Sequence, residues 1–372
     1  MPAITSHQVG IALDMYGCPN RCRHCRLGQA AGGRLTEDDL RWVVAQFRAF
    51  QQGRGGQPLW EASYISTWAR EPDYSDDYRY LYELENELSG LPPRRAEREL
   101  LSVWRLARDP GYAEWAHSIG VHACQLTFFG LEKATDWGHR RRGAFEDLLV
   151  ATERLLAAGI RPRWQWCFTK LLIPDLPGLI ELAEELRLRE RCEALGGPSA
   201  IFLHCPVPEG EAFHIEHIRP TERDLDRVPA WLREQSEQYY RRSIVTPERK
   251  LVPRFLEDHG PMSASVEDLE SGSAGLWFQV EPSLDLYPYM CEITPAYRLG
   301  NLKRDELAHC LEVFETDRTP GFQAMFHVPV SELARRFGRP RGQRLYHPWD
   351  LKVRWARMWV EERLNVEGGT RQ

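Results

Sequence analysis

Residues 9–15 are an apolar run of strand length. Residues 36–51 then carry apolar positions at three- and four-residue spacing behind Thr36, Asp38 and Asp39, the start signal of an amphipathic helix. The same pair of patterns returns along the chain. Strand-like runs at 62–68, 100–106, 122–129, 162–169 and 200–205 are each followed by helical spacing, at 75–88, 112–119, 145–158, 176–189 and 222–241. This alternation predicts an α/β fold: a parallel sheet with right-handed crossovers, curled into a partial (β/α)6 TIM-like barrel over residues 7–244. In such a fold the functional groups gather at the carboxyl ends of the strands. Within the run at 162–169, Gln165, Cys167 and Thr169 share one face and Trp164, Trp166 and Phe168 the other, so the polar set is expected to line the lumen.

Past the barrel the pattern changes. Residues 245–273 are polar and rich in Pro, Gly, Ser and Glu, which predicts a linker or covering loop. Residues 274–372 combine hairpin-like alternation at 276–290 with helical spacing at 305–314 and 351–365, which predicts a small α+β extension.

A chain of 372 residues, 42% of them apolar, can bury one large core or two modest ones. Its formal charge of -6 argues against nucleic acid as a partner. The first residues lack the basic start and apolar core of an export signal, and no stretch reaches membrane-spanning length, so a cytoplasmic protein without a membrane partner is expected. A reducing compartment suits thiolate chemistry and disfavours disulfides among the nine Cys.

Three of those thiols stand in Cys18-Pro-Asn-Arg-Cys22-Arg-His-Cys25, directly after the first predicted strand and so at the barrel mouth. Three thiolates can hold a cubane of four irons and leave one iron open for chemistry. Zinc is the rival reading, with His24 as a fourth ligand. Against it, structural zinc is usually held by two paired clips, and the sequence has no second CxxC or HxxxH clip; His24 also stands too close to Cys25 to reach the same metal easily.

The CxxxCxxC loop resembles the signature of the radical S-adenosylmethionine (SAM) superfamily, with His24 in the place commonly held by an aromatic residue. The resemblance implies a [4Fe-4S] cluster on Cys18, Cys22 and Cys25 whose open iron is chelated by the amino and carboxylate groups of SAM. One electron then splits a carbon–sulfur bond and yields a 5'-deoxyadenosyl radical. It also implies an external one-electron donor such as flavodoxin or ferredoxin. Where family members often carry Gly-Gly-Glu-Pro to hold the SAM amino group, this chain has Ala69, Arg70, Glu71 and Pro72, of which only the last two match. The stretch from Gln125 through Asp136 to Arg140 and Phe145 resembles one in members with a SPASM or twitch domain, and Arg140, flanked by Arg141 and Arg142, is the candidate partner of the SAM carboxylate. His24, Thr127, Gln165 and Phe202 complete the cofactor-binding candidates, Phe202 as a ring near adenine. Cys167 and Cys205 are candidate hydrogen-atom donors to a product radical.

The segment from Asp285 to Cys291, followed by Leu299-Gly300-Asn301-Leu302, resembles the start of a SPASM or twitch domain, but only Cys310 follows it and no CxxC does. A second cluster would need ligands from elsewhere, so the expected role is a shell that shelters the barrel mouth, and redox-neutral outcomes are favoured. The implied activity is hydrogen abstraction from a small natural-product or metabolite substrate. Modification of a ribosomal peptide is the alternative, weakened because the barrel pattern begins within the first ten residues and leaves no room ahead of it for a peptide-recognition module. A non-enzymatic metal-binding scaffold is the alternative of another class.

Overall fold

The computed structural model describes residues 8–15, 17–28, 33–51, 59–67, 75–90, 100–198, 200–243, 245–264, 276–289 and 291–369. The first strand, β1 (Gln8–Leu13), pairs in parallel with β2 (Ala62–Ser66), and α1 (Glu37–Ala49) crosses between them. Thr36 caps α1 by a reciprocal box with Asp39, which satisfies N–H groups the first turn leaves unpaired. The apolar stripe Leu40, Val43, Val44 and Phe47 lies buried in the core that also takes Val9, Ile11 and Leu13. A second parallel set holds β3 (Ala123–Phe128), β4 (Arg161–Cys167) and β5 (Ala200–His204) in that order. Helices α5 (Glu132–His139), α6 (Ala144–Ala157), α7 (Leu172–Glu185) and α8 (Leu188–Ala194) connect them. Trp164, on the outer face of β4, donates to Thr152 of α6 at 3.1 Å, so the bulky alternate positions face the helices, as the two-residue period predicts.

Three expectations need correction. Residues 100–106 are not a strand: after α2 (Tyr78–Leu88), Ser102 accepts from Arg105 N–H at 3.2 Å and opens a short helix, α3 (Val103–Arg108), ahead of α4 (Tyr112–Ser118). The described residues therefore supply five strands of the expected six-unit alternation, in two hydrogen-bonded sets, consistent with the expected partial barrel. The helix expected at 222–241 is broken into α9 (Glu222–Leu225) and α10 (Ala230–Tyr240), because Pro229 cannot continue a helical backbone. The stretch read as linker pairs β6 (Thr246–Pro247) with a later strand and contains α11 (Glu248–Leu256), which buries Leu251, Val252 and Phe255.

The hairpin expected at 276–290 is present as β7 (Leu276–Val280) and β8 (Asp285–Pro288), extended by β9 (Gly300–Asn301). Its first strand also joins the barrel: β7 pairs in parallel with β1, giving the sheet order β2-β1-β7-β8-β9. Gly10 makes this junction possible, since an added Cβ would fall inside the indole of Trp277, its neighbour on β7. Gly10→Ala should therefore cost about 1–3 kcal/mol, the usual range for overpacking a filled site, read as a lower denaturant midpoint with an unchanged slope. The chain ends in α12 (Leu307–Glu315), α13 (Pro320–Phe326), α14 (Val330–Phe337), β10 (Leu345–Tyr346), which pairs with β6, and α15 (Pro348–Gly369). Among the described residues no helix is long and apolar enough to cross a membrane.

Candidate active site

The loop after β1 carries Cys18, Cys22 and Cys25, all partly exposed and none in a disulfide. Turn hydrogen bonds from Cys25 N–H to Cys22 O (3.2 Å) and from Gly28 N–H to Cys25 O (3.3 Å) fold the loop on itself. Its backbone is also tied to the end of α5, through Arg21 N–H to His139 O and Arg23 N–H to Gly138 O at 2.7 Å. The Arg23 guanidinium lies 4.4 Å from the Trp137 ring, and that of Arg26 donates to Tyr289 O at 3.4 Å.

His139 links the loop to the second strand set. Its Nδ1 is 3.3 Å from Cys22 Sγ and its Nε2 is 2.9 Å from Thr127 O on β3. A carbonyl accepts only, so Nε2 carries the proton and Nδ1 is left to receive the thiol S–H. Burial lowers the pKa of the imidazole and keeps it neutral. A thiolate bound to iron has no proton to give, so this hydrogen bond belongs to the iron-free protein.

A segment just past β5 presses on the loop from the other side. Gly210 has φ of +52°, and a Cβ there would strike the carbonyl oxygens of Cys25 and Arg26. Glu211 N–H donates to Cys25 O at 2.9 Å, and the Glu211 carboxylate pairs with Arg140 at 2.7 Å. Behind Gly210, Arg357 of α15 donates to Gly210 O and to Glu292, each at 2.9 Å. The C-terminal helix is thereby connected to the cysteine loop through one guanidinium.

The inner faces of the second strand set bring three predicted residues into one row. Thr127, Gln165 and Phe202 are direct cross-strand partners on β3, β4 and β5. Phe202 is fully buried, with one face stacked on Tyr239 at 3.9 Å. Cys167, one step nearer the mouth on the same face, is buried among Phe129, Ala134, Ala212 and Ile215, and burial pushes its thiol pKa up. Cys205 lies past the end of β5 with Sγ 3.7 Å from Phe168 O, and burial raises its thiol to about 12. Both thiols thus stay as S–H. Arg140, in left-handed backbone at the end of α5, is committed to Glu211, while Arg141 binds Asn20 and Asp147, at 2.7 and 2.5 Å. Ala69, Arg70 and Glu71 lie outside the described residues, but the strand that leads to them is anchored: buried Glu85 of α2 accepts from Thr67 N–H at 2.8 Å and from its hydroxyl at 3.0 Å.

Sequence reasoning missed Glu85, His139, Gly210 and Arg357. His139 alone had a signal, its place at the end of the helix that follows β3.

The donor set fits an iron–sulfur cluster. Three thiols outside any disulfide share one loop, and beside them the buried Nδ1 of His24 has no hydrogen-bond partner among the described residues, its ring packed 5.1 Å from Phe129 and its pKa lowered to about 3 chiefly by desolvation. A cubane takes each thiolate on a separate iron. Cys291 and Cys310 are both buried, and Cys310 Sγ is packed against Gly300.

No family model and no curated protein sequence matches the chain. Solved structures do. Native anSMEcpe with bound AdoMet is similar at 12% identity and a TM-score of 0.50, over 96% of this chain and 98% of that one. Native anSMEcpe with bound AdoMet and Cp18Cys peptide matches at 11% identity and a TM-score of 0.50, over 98% of this chain and 99% of that one. Two parallel strand sets with a three-cysteine loop at their carboxyl ends, and this likeness over nearly the whole length, give the chain the fold of the radical SAM enzymes.

Proposed function

We propose that the protein is a radical SAM enzyme that abstracts hydrogen from a small natural-product or metabolite substrate, with a redox-neutral outcome. The observation that supports the reading is the contact of Cys22 with His139, which in turn reaches Thr127 O on β3, so that the three-cysteine loop after β1 lies against the second strand set. Cys18, Cys22 and Cys25 would hold the cluster. Bound there, the cluster would supply the one-electron reduction that SAM cleavage needs. The protein's share is to bind, orient and exclude water. In the iron-free protein His139 accepts from Cys22, and Glu211 and Gly210 hold the backbone of Cys25. Thr127 and Gln165 offer polar groups along the inner row, Glu71 is the acceptor proposed for the SAM ammonium, and an Arg140 that meets the SAM carboxylate must share its charge with Glu211. Cys167 and Cys205 keep the S–H bond that a hydrogen-atom donor requires.

Peptide modification is the second reading, favoured by the peptide in the similar anSMEcpe structure. Anaerobic reconstitution tests the class: iron-dependent absorbance near roughly 400 nm and formation of 5'-deoxyadenosine after reduction are expected. A colourless zinc protein that leaves SAM intact would overturn it in favour of a metal-binding scaffold.

A further inference from the structure

At the carboxyl end of β5, beyond the row of Thr127, Gln165 and Phe202, lies a cavity of about 70 Å³ walled chiefly by His204, Cys205, Tyr240, Arg242, His347 and Asp350. At about 15 Å³ for each water-sized group it has room for roughly four or five of them. Its charges are separated. Asp350, in the first turn of α15, is only 5% exposed and makes no ion pair among the described residues. Desolvation pushes this carboxylate up to about 7, against the opposing pull of the Arg219 and Arg242 charges and of a backbone hydrogen bond from His347. Arg242 is exposed at the rim, and its side chain likewise has no ion pair among the described residues. Between them stand neutral groups. His347 Nδ1 accepts from Trp349 N–H at 3.3 Å, which leaves the ring proton on Nε2, and His204 Nδ1 lies 3.2 Å from the Tyr240 hydroxyl. Desolvation is the main reason both imidazoles are lowered to about 4.

One buried anion and one rim cation, spaced by neutral hydrogen-bonding groups, complement a ligand that carries both charges on neighbouring atoms. A lone carboxylate would leave Asp350 unpaired, and a lone amine would meet Arg242. We propose that this cavity seats an α-amino-acid head group, its ammonium on Asp350 and its carboxylate on Arg242, and that the head group belongs to the substrate. The substrate is then an amino acid or a molecule with a free amino-acid end, not an internal stretch of a peptide. Only the word substrate rests on the radical SAM reading.

The test is a titration of the reconstituted protein, without reductant, followed by saturation-transfer NMR with glycine, acetate and methylamine as probes. Glycine should bind saturably and at least about tenfold more tightly than either single-charge probe. Asp350→Asn should erase the preference for glycine over acetate, and the exposed Arg242→Gln the preference over methylamine. Glycine binding no better than acetate, or preferences unmoved in both variants, would overturn the assignment. Displacement of SAM by glycine would overturn it too, since the head group seated would then be that of SAM. If the cluster cannot be reconstituted, the radical SAM reading fails while the same titration on the purified protein still decides the cavity.

Discussion

Cys22→Ala abolishes reductive SAM cleavage and the visible absorbance of the reconstituted protein: that is the largest effect expected of any single change. Removing a ligand should exceed the roughly 100-fold upper range for residues that only stand behind one. Two thiols on one loop cannot hold three corners of a cubane. Cys22 also has His139 on its sulfur and Thr127 on the far side of that imidazole. Iron content, absorbance and 5'-deoxyadenosine should fall together, while the melting midpoint of the iron-free protein stays close to that of the parent, since the thiol is only partly buried. Retained 5'-deoxyadenosine formation would mean that Cys22 is not a ligand.

Gly210→Ala should be the second largest. At φ of +52° an L-residue costs about 1–2 kcal/mol, and the added methyl meets backbone carbonyls of Cys25 and Arg26, which cannot swing aside as a side chain would. Overpacking adds about 1–3 kcal/mol. Either the loop moves or the 210–211 backbone does, and Glu211 N–H to Cys25 O is lost in both cases. Faster release of iron to a chelator and a lower melting midpoint are expected together. Gly196→Ala separates the two causes, because Gly196 also has positive φ, at +82°, but open space around its Cβ. Equal iron release from the two variants would show that close approach at Gly210 does not hold the loop.

What was legible in the sequence was what local chemistry writes. The cysteine spacing needs no tertiary context, and the two-residue period of β4 assigned Trp164 outward and Gln165 inward, which is how Thr127, Gln165 and Phe202 come into register. Residues 100–106 were misread because Leu100, Leu101, Val103 and Leu106 look like a strand until Ser102 is seen as a cap. Glu85, Gly210 and Arg357 were invisible for another reason. Each acts on a partner far away in sequence: Glu85 on Thr67, Gly210 on Cys25, Arg357 on Gly210. Period and spacing report which face a residue takes, not which distant backbone that face will meet. The pairing of β1 with β7 was hidden likewise, because alternation at 276–290 predicts a hairpin equally well whether or not a third strand lies alongside.

That pairing sets a clock on biosynthesis. Leu13 leaves the ribosome early, yet its neighbour Val280 follows only after most of the chain has been made. At about 5–20 residues per second, the strand that delivers the cysteines waits roughly ten seconds to a minute with one hydrogen-bonding edge open. Iron delivered to the nascent chain before then would reach three thiols whose supporting sheet is still incomplete, so cluster insertion belongs after β7 has been made.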